Sequence, residues 1–190
     1  MKLAIPLLDL KQAIKAVKPG CALDVDYRPC LQYIKVTYSE GELSFFSCNG
    51  YLAYRYTIKI RFDNVDERLE GFIYPISIKC RKDSRETAFI DFSEDRLKTI
   101  LTVPTNYAEV SYTFSNPKDY IKTDELVVCP ENAVEQAYNP VFFKKIADAF
   151  DIYKTMSFAH SSAENKKPAY IVAKTDNTEL EAIVLPMWRG

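Results

Sequence analysis

Apolar residues recur at helical spacing near the start of the chain. The positions that share one face are Leu7, Leu10, Ile14 and Val17. A short strand over residues 2–5 precedes this predicted helix, and Pro19-Gly20 stops it. Three strands rich in β-branched and aromatic residues follow: CLQYIKVTY, GELSFFS and YLAYRYTIKI. Turn residues at 39–41 and 49–50 separate them. The first 60 residues therefore predict a β-α-β-β-β unit.

The middle of the chain continues with strands and almost no helix. Strand character resumes at GFIYPISIKC, and the polar stretch RKDSRE leaves room for at most one short helical turn. The segments TAFIDFS, RLKTILTV and YAEVSYTF then predict two or three strands. The polar connector SNPKDYIKTDE is the candidate boundary, with domains at residues 1–124 and 125–190.

The last third of the chain repeats the first plan. After a strand at LVVC, Asn139 is the predicted N-cap and Pro140 the first residue of a helix. Its apolar stripe is Phe143, Ile146, Phe150 and Tyr153. Strands at YKTMSFAHS, AYIVAKT and LEAIVLPM close the chain. The pattern predicts an α+β fold of repeated β-α-β-β-β units with antiparallel sheets and few helices.

Composition and charge narrow the function classes. The 190 residues are 47% hydrophobic, which allows one large domain or two small ones. Lys and Arg number 25 against 26 Asp and Glu, so the overall balance does not favour nucleic acid or an anionic membrane. A role on nucleic acid would have to be local.

The cysteines and the N-terminal segment indicate a reducing compartment. The five cysteines are odd in number and scattered, without C-x-x-C spacing: Cys21, Cys30, Cys48, Cys80 and Cys129. Pro6 and Asp9 interrupt the first apolar run too early for a signal-peptide core, and no later run is long enough for a bilayer span. We expect a cytoplasmic protein.

The residues that catalysis would require are sparse. The one histidine, His160, lies in a polar stretch without an evident partner. The five glycines form no phosphate-binding motif. The acidic runs at 24–26 and 63–70 are typical of solvated loops, although such runs can also hold a metal. We expect no enzyme activity, no cofactor and no metal.

Several fragments, in the same order, resemble the bacterial DNA polymerase III beta subunit, the sliding clamp. The opening MKLAIPLLDLKQAIKAV is similar to the first strand and helix of a clamp domain. YRPCLQYIKV and GELSFFSCNGYLAYR resemble the family's R-x-x-L and T-D-G-x-R-L-A patterns, with Cys48 in place of Thr and Asn49 in place of Asp. NPKDYIK resembles F-P-D-Y, YNPVFFKKIADAF resembles F-N-x-x-Y-L-x-D-A-L, and VLPMWR resembles M-P-M-R.

The resemblance also implies how the chain is shortened relative to the family. Residues 1 to about 124 resemble the family's middle domain, and residues 125–190 resemble the second half of its last domain. The second helix of the middle domain is reduced to the few residues near 76–84.

The resemblance implies an apolar cleft for short peptides of polymerases and repair proteins. Carried onto this chain, the cleft residues are Leu31, Gly50, Tyr51, Leu52, Pro117, Tyr120, Val184, Leu185, Pro186, Met187 and Trp188. An apolar groove with aromatic and methionine walls suits an extended peptide. The alternative interpretation is a closed core, which we favour for Val184 and Leu185, whereas the cleft is favoured for Met187 and Trp188.

The family's ring is lined by helices that carry positive charge. On the first helix, Lys11, Lys15 and Lys18 form one stripe that can lie near phosphates without reading bases. On the later helix, Lys144 and Lys145 share their polar face with two aspartates. A solvated lysine face explains the first stripe equally well.

Three functions are compatible with this sequence. The leading one is a non-enzymatic, clamp-like protein that binds peptide motifs of replication or repair proteins and encircles double-stranded DNA as a homo-oligomer. If the rings of the family contain about twelve β-α-β-β-β half-domains and this chain contributes about three, closed symmetry favours four copies. If the middle of the chain folds as two halves, it favours three copies. The second is a regulatory or decoy protein that binds such peptides without encircling DNA. The third is a structural domain in which both features are vestigial.

Overall fold

The computed structural model describes residues 1–22, 28–62, 65, 67–81, 84–105, 108–121, 140–151, 153, 157–159 and 169–184. Within these ranges the strands are β1 (Lys2–Pro6), β2 (Ile34–Ser39), β3 (Glu42–Cys48), β4 (Leu52–Lys59), β5 (Leu69–Ile73), β6 (Thr87–Phe92), β7 (Lys98–Pro104), β8 (Glu109–Ser115), β9 (Ser157–Ala159), β10 (Ala169–Lys174) and β11 (Thr178–Val184). The α-helices are α1 (Leu7–Val17) and α2 (Pro140–Ala149). The predicted strand at LVVC and the predicted N-cap Asn139 lie outside the described residues.

The strands form two antiparallel sheets in which the first two units exchange their leading strands. One sheet has the order β1-β6-β7-β8 and the other β5-β2-β3-β4-β11-β10-β9. Strand β1 pairs with β6 of the second unit, and β5 pairs with β2 of the first. The units β1-α1-β2-β3-β4, β5-β6-β7-β8 and α2-β9-β10-β11 follow the plan that the sequence pattern predicts. The α+β fold class is therefore confirmed.

The third unit joins the first through a long ladder between β4 and β11. Seven residue pairs connect the two strands, from Thr178 opposite Ile58 to Val184 opposite Leu52. Sheet hydrogen bonding therefore continues from residues before the proposed boundary at 124 into residues after it.

Both helices pack against one shared core. The four positions that helical spacing selects on α1 are buried: Leu7, Leu10, Ile14 and Val17. On α2, Ile146 is buried and is followed by buried Phe150, while Phe143 and Tyr153 pack against the same core. Inward residues of the four-stranded sheet, such as Ile90 and Leu101, belong to this core too. Burial on this scale is the main stabilising contribution to the fold.

An extended segment stands where a second helix would complete the middle unit. None of the described residues between β5 and β6, which are 74–81 and 84–86, is helical. Ile78 is buried, and Ile76 and Cys80 pack against the core at alternate positions, as in a strand. Pro75, which has no backbone N–H, lies at the start of this segment. The sequence allows at most one short helical turn in residues 81–86, and there the Ser84 N–H donates to the Arg81 carbonyl at 3.3 Å.

The two sheets are connected where β5 crosses β7. The buried hydroxyl of Thr99 on β7 accepts a hydrogen bond from the backbone N–H of Phe72 on β5 at 2.9 Å. The same hydroxyl donates to Asn116 Oδ1 at 2.8 Å. A Cβ added to Gly71 would lie 2.3 Å from Thr99 Oγ1 and 2.8 Å from a ring carbon of Phe92. Only glycine allows this close approach of the two strands.

We expect Thr99→Val to destabilise the protein by about 1–3 kcal/mol, because the isosteric side chain leaves the buried N–H of Phe72 without its acceptor. Urea unfolding of both variants measures the effect. The matched control is Thr102→Val on the same strand, whose hydroxyl bonds Ser111 Oγ at the surface, at 2.9 Å. The control should cost less than about 0.5 kcal/mol. Equal costs for the two substitutions would contradict a structural role for the Thr99 hydrogen bond.

Candidate partner-binding and DNA-facing surfaces

The turn between β3 and β4 is held by two side-chain acceptors. Asn49 Oδ1 accepts hydrogen bonds from the backbone N–H of Tyr51 at 3.0 Å and of Leu52 at 2.9 Å. Cys48 Sγ accepts from the N–H of Gly50 at 3.3 Å. Gly50 has a φ of 89°, a left-handed conformation that a side chain would strain. The polar side chains therefore shape the turn itself.

This turn presents Tyr51 to solvent beside helix α2. The Tyr51 side chain is 65% exposed. Its ring lies 6.2 Å from the ring of Phe142 on α2, measured between centroids, with a tilt of 30°. Val141, the preceding residue of α2, is also exposed. Tyr51 thus belongs to an exposed apolar area on the helix side of the seven-stranded sheet.

Strand β11 ends beside the same turn. Its last residue, Val184, pairs with Leu52, and both side chains are buried in the main core. The core interpretation of Val184 agrees with this position. The other predicted cleft residues of the C-terminal segment, Leu185, Pro186, Met187 and Trp188, lie outside the described residues.

A second apolar cluster covers the opposite face of the sheet near this end. We call it the outer cluster, and its buried members are Phe46, Cys48, Ala53, Tyr170 and Ile183. Tyr120, Ile121 and Val172 pack on it. Among its members, only Tyr120 is in the predicted cleft. Apolar residues at consecutive positions, such as Phe45 and Phe46 in β3, are the signal that both faces of this sheet are covered.

Tyr120 lies at the edge of the outer cluster and contacts residues of strands β3 and β5. Its ring makes edge-on contacts with Phe72, at 4.9 Å between centroids, and with Phe46, at 6.4 Å. Its hydroxyl donates to the backbone carbonyl of Tyr33 at 3.1 Å. Burial raises the pKa of this phenol well above its ordinary value, and the nearby thiols raise the pKa further. The neutral hydroxyl is therefore a structural donor over the whole physiological range.

The remaining predicted cleft residues differ in their surroundings. Leu31 is buried in a short 3-10 turn, Pro29–Gln32. Pro117 lines a groove of about 660 Å³ together with Phe72, Leu97 and Asn116 and the charged residues Glu67, Arg68, Glu70, Arg96 and Lys118. Phe72 is common to this groove and to the Tyr120 contacts. The structure therefore places Tyr120 and Pro117 near one another, with Tyr51 on the other face of the sheet.

The predicted DNA-facing lysines of α1 differ in their contacts. Lys15 Nζ lies 2.6 Å from Asp151 Oδ2, just beyond α2. Lys11 Nζ donates to the backbone carbonyl of Cys80 at 3.2 Å. Lys18 is exposed at the end of the helix. Two of the three positive charges in the stripe are thus partly engaged inside the protein.

Positive charge on α2 and on the extended segment adds to this face. Lys144 is exposed and Lys145 half-buried, with exposed Asp148 on the same helix. Lys79 and Arg81 are exposed on the extended segment that Lys11 contacts, at positions that alternate with the core-facing residues. Sequence reasoning did not name these two residues, because it treated residues 76–84 as the remnant of a shortened helix.

Other candidate chemistry is limited. Within the described ranges, no group of three or more His, Cys, Asp or Glu side chains is arranged to hold a metal ion. His160 and the acidic run at 24–26 lie outside those ranges. Neither described α-helix, of 11 and 10 residues, has the length and apolar character needed to cross a membrane.

Comparison with solved structures finds proteins that have the same fold as this chain. The structure is similar to the DNA polymerase III beta subunit of Pseudomonas aeruginosa, with a TM-score of 0.73 and 10% identity, covering 99% of this chain and 66% of that one. The beta subunit of Streptococcus pyogenes polymerase gives 0.72 and 13% identity, covering 98% of this chain and 66% of that one. The DNA polymerase III subunit beta of Borrelia burgdorferi gives a TM-score of 0.72 at 10% identity, covering 100% of this chain and 63% of that one.

Sequence comparison alone finds no relative. No protein-family model matches the chain, and no curated protein matches it. The chain therefore has the fold of bacterial sliding clamps over nearly its whole length, and it spans just under two thirds of the first two of these structures. The predicted resemblance is confirmed at the level of the fold.

We expect the stability difference between the native chain and Tyr120→Phe to shrink above pH 10. Below that pH the hydroxyl contributes about 1 kcal/mol through its bond to the Tyr33 carbonyl. An unfolded tyrosine titrates near pH 10, whereas the folded pKa of Tyr120 is raised, so the folded state alone keeps the proton. The Tyr120 contribution then falls by about 1.4 kcal/mol per pH unit. Urea unfolding from pH 8 to 11 measures it, and a constant difference would contradict the burial of the phenol.

Proposed function

We propose that this protein is a non-enzymatic, clamp-like protein that binds short peptide motifs of DNA replication or repair proteins. The observation that carries the proposal is the joint between β4 and β11. There, the Asn49 turn, the end of β11 and the outer cluster lie at one end of a single sheet. The fold that this chain shares with solved DNA polymerase sliding clamps supports it.

The peptide surface is centred on this sheet end. Tyr51 and Phe142 form its wall on the helix side, and Tyr120 lies on the other face with Phe46 and Phe72. The sequence LPMWRG that follows Val184 supplies the remaining apolar residues of the proposal. Aromatic and methionine side chains bury a large apolar area with few fixed polar groups, which suits short peptides of related sequence.

DNA contact is the second part of the proposal. In it, α1 and the extended segment face the duplex, with Lys18 of the stripe and Lys79 and Arg81 of the extended segment as exposed cations. Residues 1–124 act as one clamp-like domain and 125–190 as a half-domain. Three or four copies would enclose the DNA, and backbone phosphates rather than bases would be contacted.

A decoy that binds the same peptides without encircling DNA is the second candidate. The ion pair of Lys15 with Asp151 and the hydrogen bond from Lys11 to the Cys80 carbonyl favour the decoy, because they reduce the positive potential of the stripe. Exposed Asp148 on the neighbouring helix reduces the positive potential further. The two candidates share the peptide surface and differ in duplex binding.

We expect Tyr51→Ala to weaken peptide binding at least tenfold without changing the unfolding midpoint, because its exposed ring contributes binding area and little core packing. The probes are short fluorescein-labelled peptides that tile the replicative and repair polymerases of the same organism, followed by fluorescence anisotropy. Tyr74→Ala, at an aromatic side chain 42% exposed, is the control and should bind normally. If no tiled peptide binds the native chain, the proposed function is wrong in both its forms.

We expect Lys18→Ala to weaken binding to a short duplex and to lower the slope of log affinity against log salt by about 0.9, the value for one phosphate contact. Anisotropy of a labelled duplex at several salt concentrations measures both quantities. Asp151→Asn should raise affinity, since it releases the Lys15 ammonium.

Lys59→Ala is the control for the DNA experiment, because Lys59 is also an exposed lysine, at the end of β4. An effect of Lys59→Ala as large as that of Lys18→Ala would contradict a DNA-facing helix surface. Peptide binding by a chain that binds no duplex even at low salt would favour the decoy over the clamp.

A further inference from the structure

The groove beside β5 combines apolar lining residues with a charged rim. Its volume is about 660 Å³, which is within the range of ligand sites. Its apolar residues are Phe72, Leu97 and Pro117. Phe72 is almost fully buried, whereas the Leu97 side chain is 57% exposed. A large apolar side chain therefore faces water inside a concave surface, which is typical of a binding site.

Leu97 is held in place by the loop between β6 and β7. Its backbone N–H donates to Asp95 Oδ1 at 2.9 Å, and its carbonyl accepts a hydrogen bond from the Asn116 N–H at 2.8 Å. The Asn116 side-chain amide also donates to the Arg96 carbonyl at 2.9 Å. Because these bonds fix the loop before a ligand arrives, binding beside Leu97 costs little additional ordering.

Arg96 has a backbone conformation that is unfavourable for a residue with a side chain. Its φ is 57°, in the left-handed region that glycine adopts without strain. Among the described residues, the other non-glycine residue with a positive φ is Glu40, in the turn between β2 and β3. Strained residues are concentrated at binding sites and active sites. The strain at Arg96 therefore favours a function for its guanidinium, which is the group that a glycine would lack.

The rim has an excess of positive charge near Asn116. Its charged residues are Glu67, Arg68, Glu70, Arg96 and Lys118. The Glu70 carboxylate is shared by Lys35 Nζ, at 3.0 Å, and an Arg68 nitrogen, at 3.9 Å. Within the described part of the chain, Arg96 and Lys118 form no ion pair. This end of the groove is therefore complementary to carboxylates.

We propose that the groove binds a short acidic segment of a partner protein. A leucine-sized side chain of the segment packs on Leu97 and Pro117, over the buried ring of Phe72. Carboxylates on neighbouring residues of the segment lie beside Arg96 and Lys118. The apolar contact supplies most of the affinity, and the two cations select acidic over basic segments.

The lining of the groove suits a peptide better than a nucleic acid. Single strands bind through bases that stack on exposed aromatic rings, and Phe72, the aromatic residue of this lining, is only 5% exposed. The Glu67 carboxylate on the rim also repels a continuous chain of phosphates. A peptide can instead present an apolar side chain with carboxylates next to it, in the order that the groove requires.

Binding in this groove is separate from the proposed peptide surface around Tyr51. Neither Tyr51 nor Phe142 is among the lining residues of the groove. Phe72 lies between the two regions, since its ring also contacts Tyr120. The Tyr51→Ala variant should therefore bind an acidic segment in the groove as the native chain does. Failure of the proposed function would leave the groove prediction unchanged.

Titration of the nitrogen-15-labelled chain with defined peptides tests the groove by nuclear magnetic resonance. We expect acetyl-DELLED-amide to shift the amide signals of Arg96, Leu97 and Asn116 until they saturate, with an affinity that falls as salt is added. Acetyl-KRLLRK-amide, in which the charges are reversed, should leave these signals in place. Acetyl-DEGGED-amide, which lacks leucine, and a short oligothymidylate should do so too.

Arg96→Gly separates the charge of the rim from the stability of the fold. It removes the guanidinium and relieves the left-handed strain, so it should raise the unfolding midpoint. It should nevertheless weaken binding of acetyl-DELLED-amide about threefold, the size of one exposed ion pair. Glu40→Gly is the matched control, because it relieves the same kind of strain outside the groove and should not weaken binding.

Leu97→Ser tests the apolar part of the groove. It should reduce the affinity for acetyl-DELLED-amide about tenfold, because the exposed side chain supplies the area that the peptide buries. Tyr74→Ser, at an exposed aromatic residue outside the lining, should bind normally. The proposal is overturned if acetyl-DELLED-amide leaves the groove signals unchanged, or if the reversed peptide or the oligothymidylate binds equally well. An affinity that neither Arg96→Gly nor Leu97→Ser reduces would also overturn it.

Discussion

The structure depends on the exchange of leading strands between its first two units. Strand β1 completes the sheet of β6, β7 and β8, and β5 completes the sheet of β2, β3 and β4. Neither sheet is complete without a strand from the other half, so the two halves share one core and are expected to unfold together. The approach of β5 to β7 through Gly71, Thr99 and Phe72 connects the same two sheets by a buried hydrogen bond.

The joint between β4 and β11 extends this architecture to the third unit. Because β11 adds to an edge that is otherwise free, the third unit contributes strands and α2 without needing a complete domain of its own. The joint also covers both faces of the sheet near the Asn49 turn, with Leu52 on the core side and Ala53 in the outer cluster. The proposed peptide surface is a consequence of this double coverage.

The missing second helix changes the charge distribution on the helix side. In its place an extended segment buries Ile78 and exposes Lys79 and Arg81. Its free carbonyl at Cys80 takes up the ammonium of Lys11. A backbone carbonyl outside any helix or strand is thus satisfied by a side chain from α1.

The sequence by itself determined the elements and the faces that they bury. The spacing of Leu7, Leu10, Ile14 and Val17, and the strand patterns, were enough because the periodicity of burial is a local property. The resemblance to the clamp family also followed from the order of short fragments.

Only the tertiary structure decided which elements meet. The pairing of β4 with β11, the contact of Lys15 with Asp151 and the packing of Tyr120 on Phe46 join residues far apart in the chain. A local pattern states that a side chain is buried and does not state what covers it. The partner is chosen by complementarity of shape, charge and hydrogen bonding in the assembled fold.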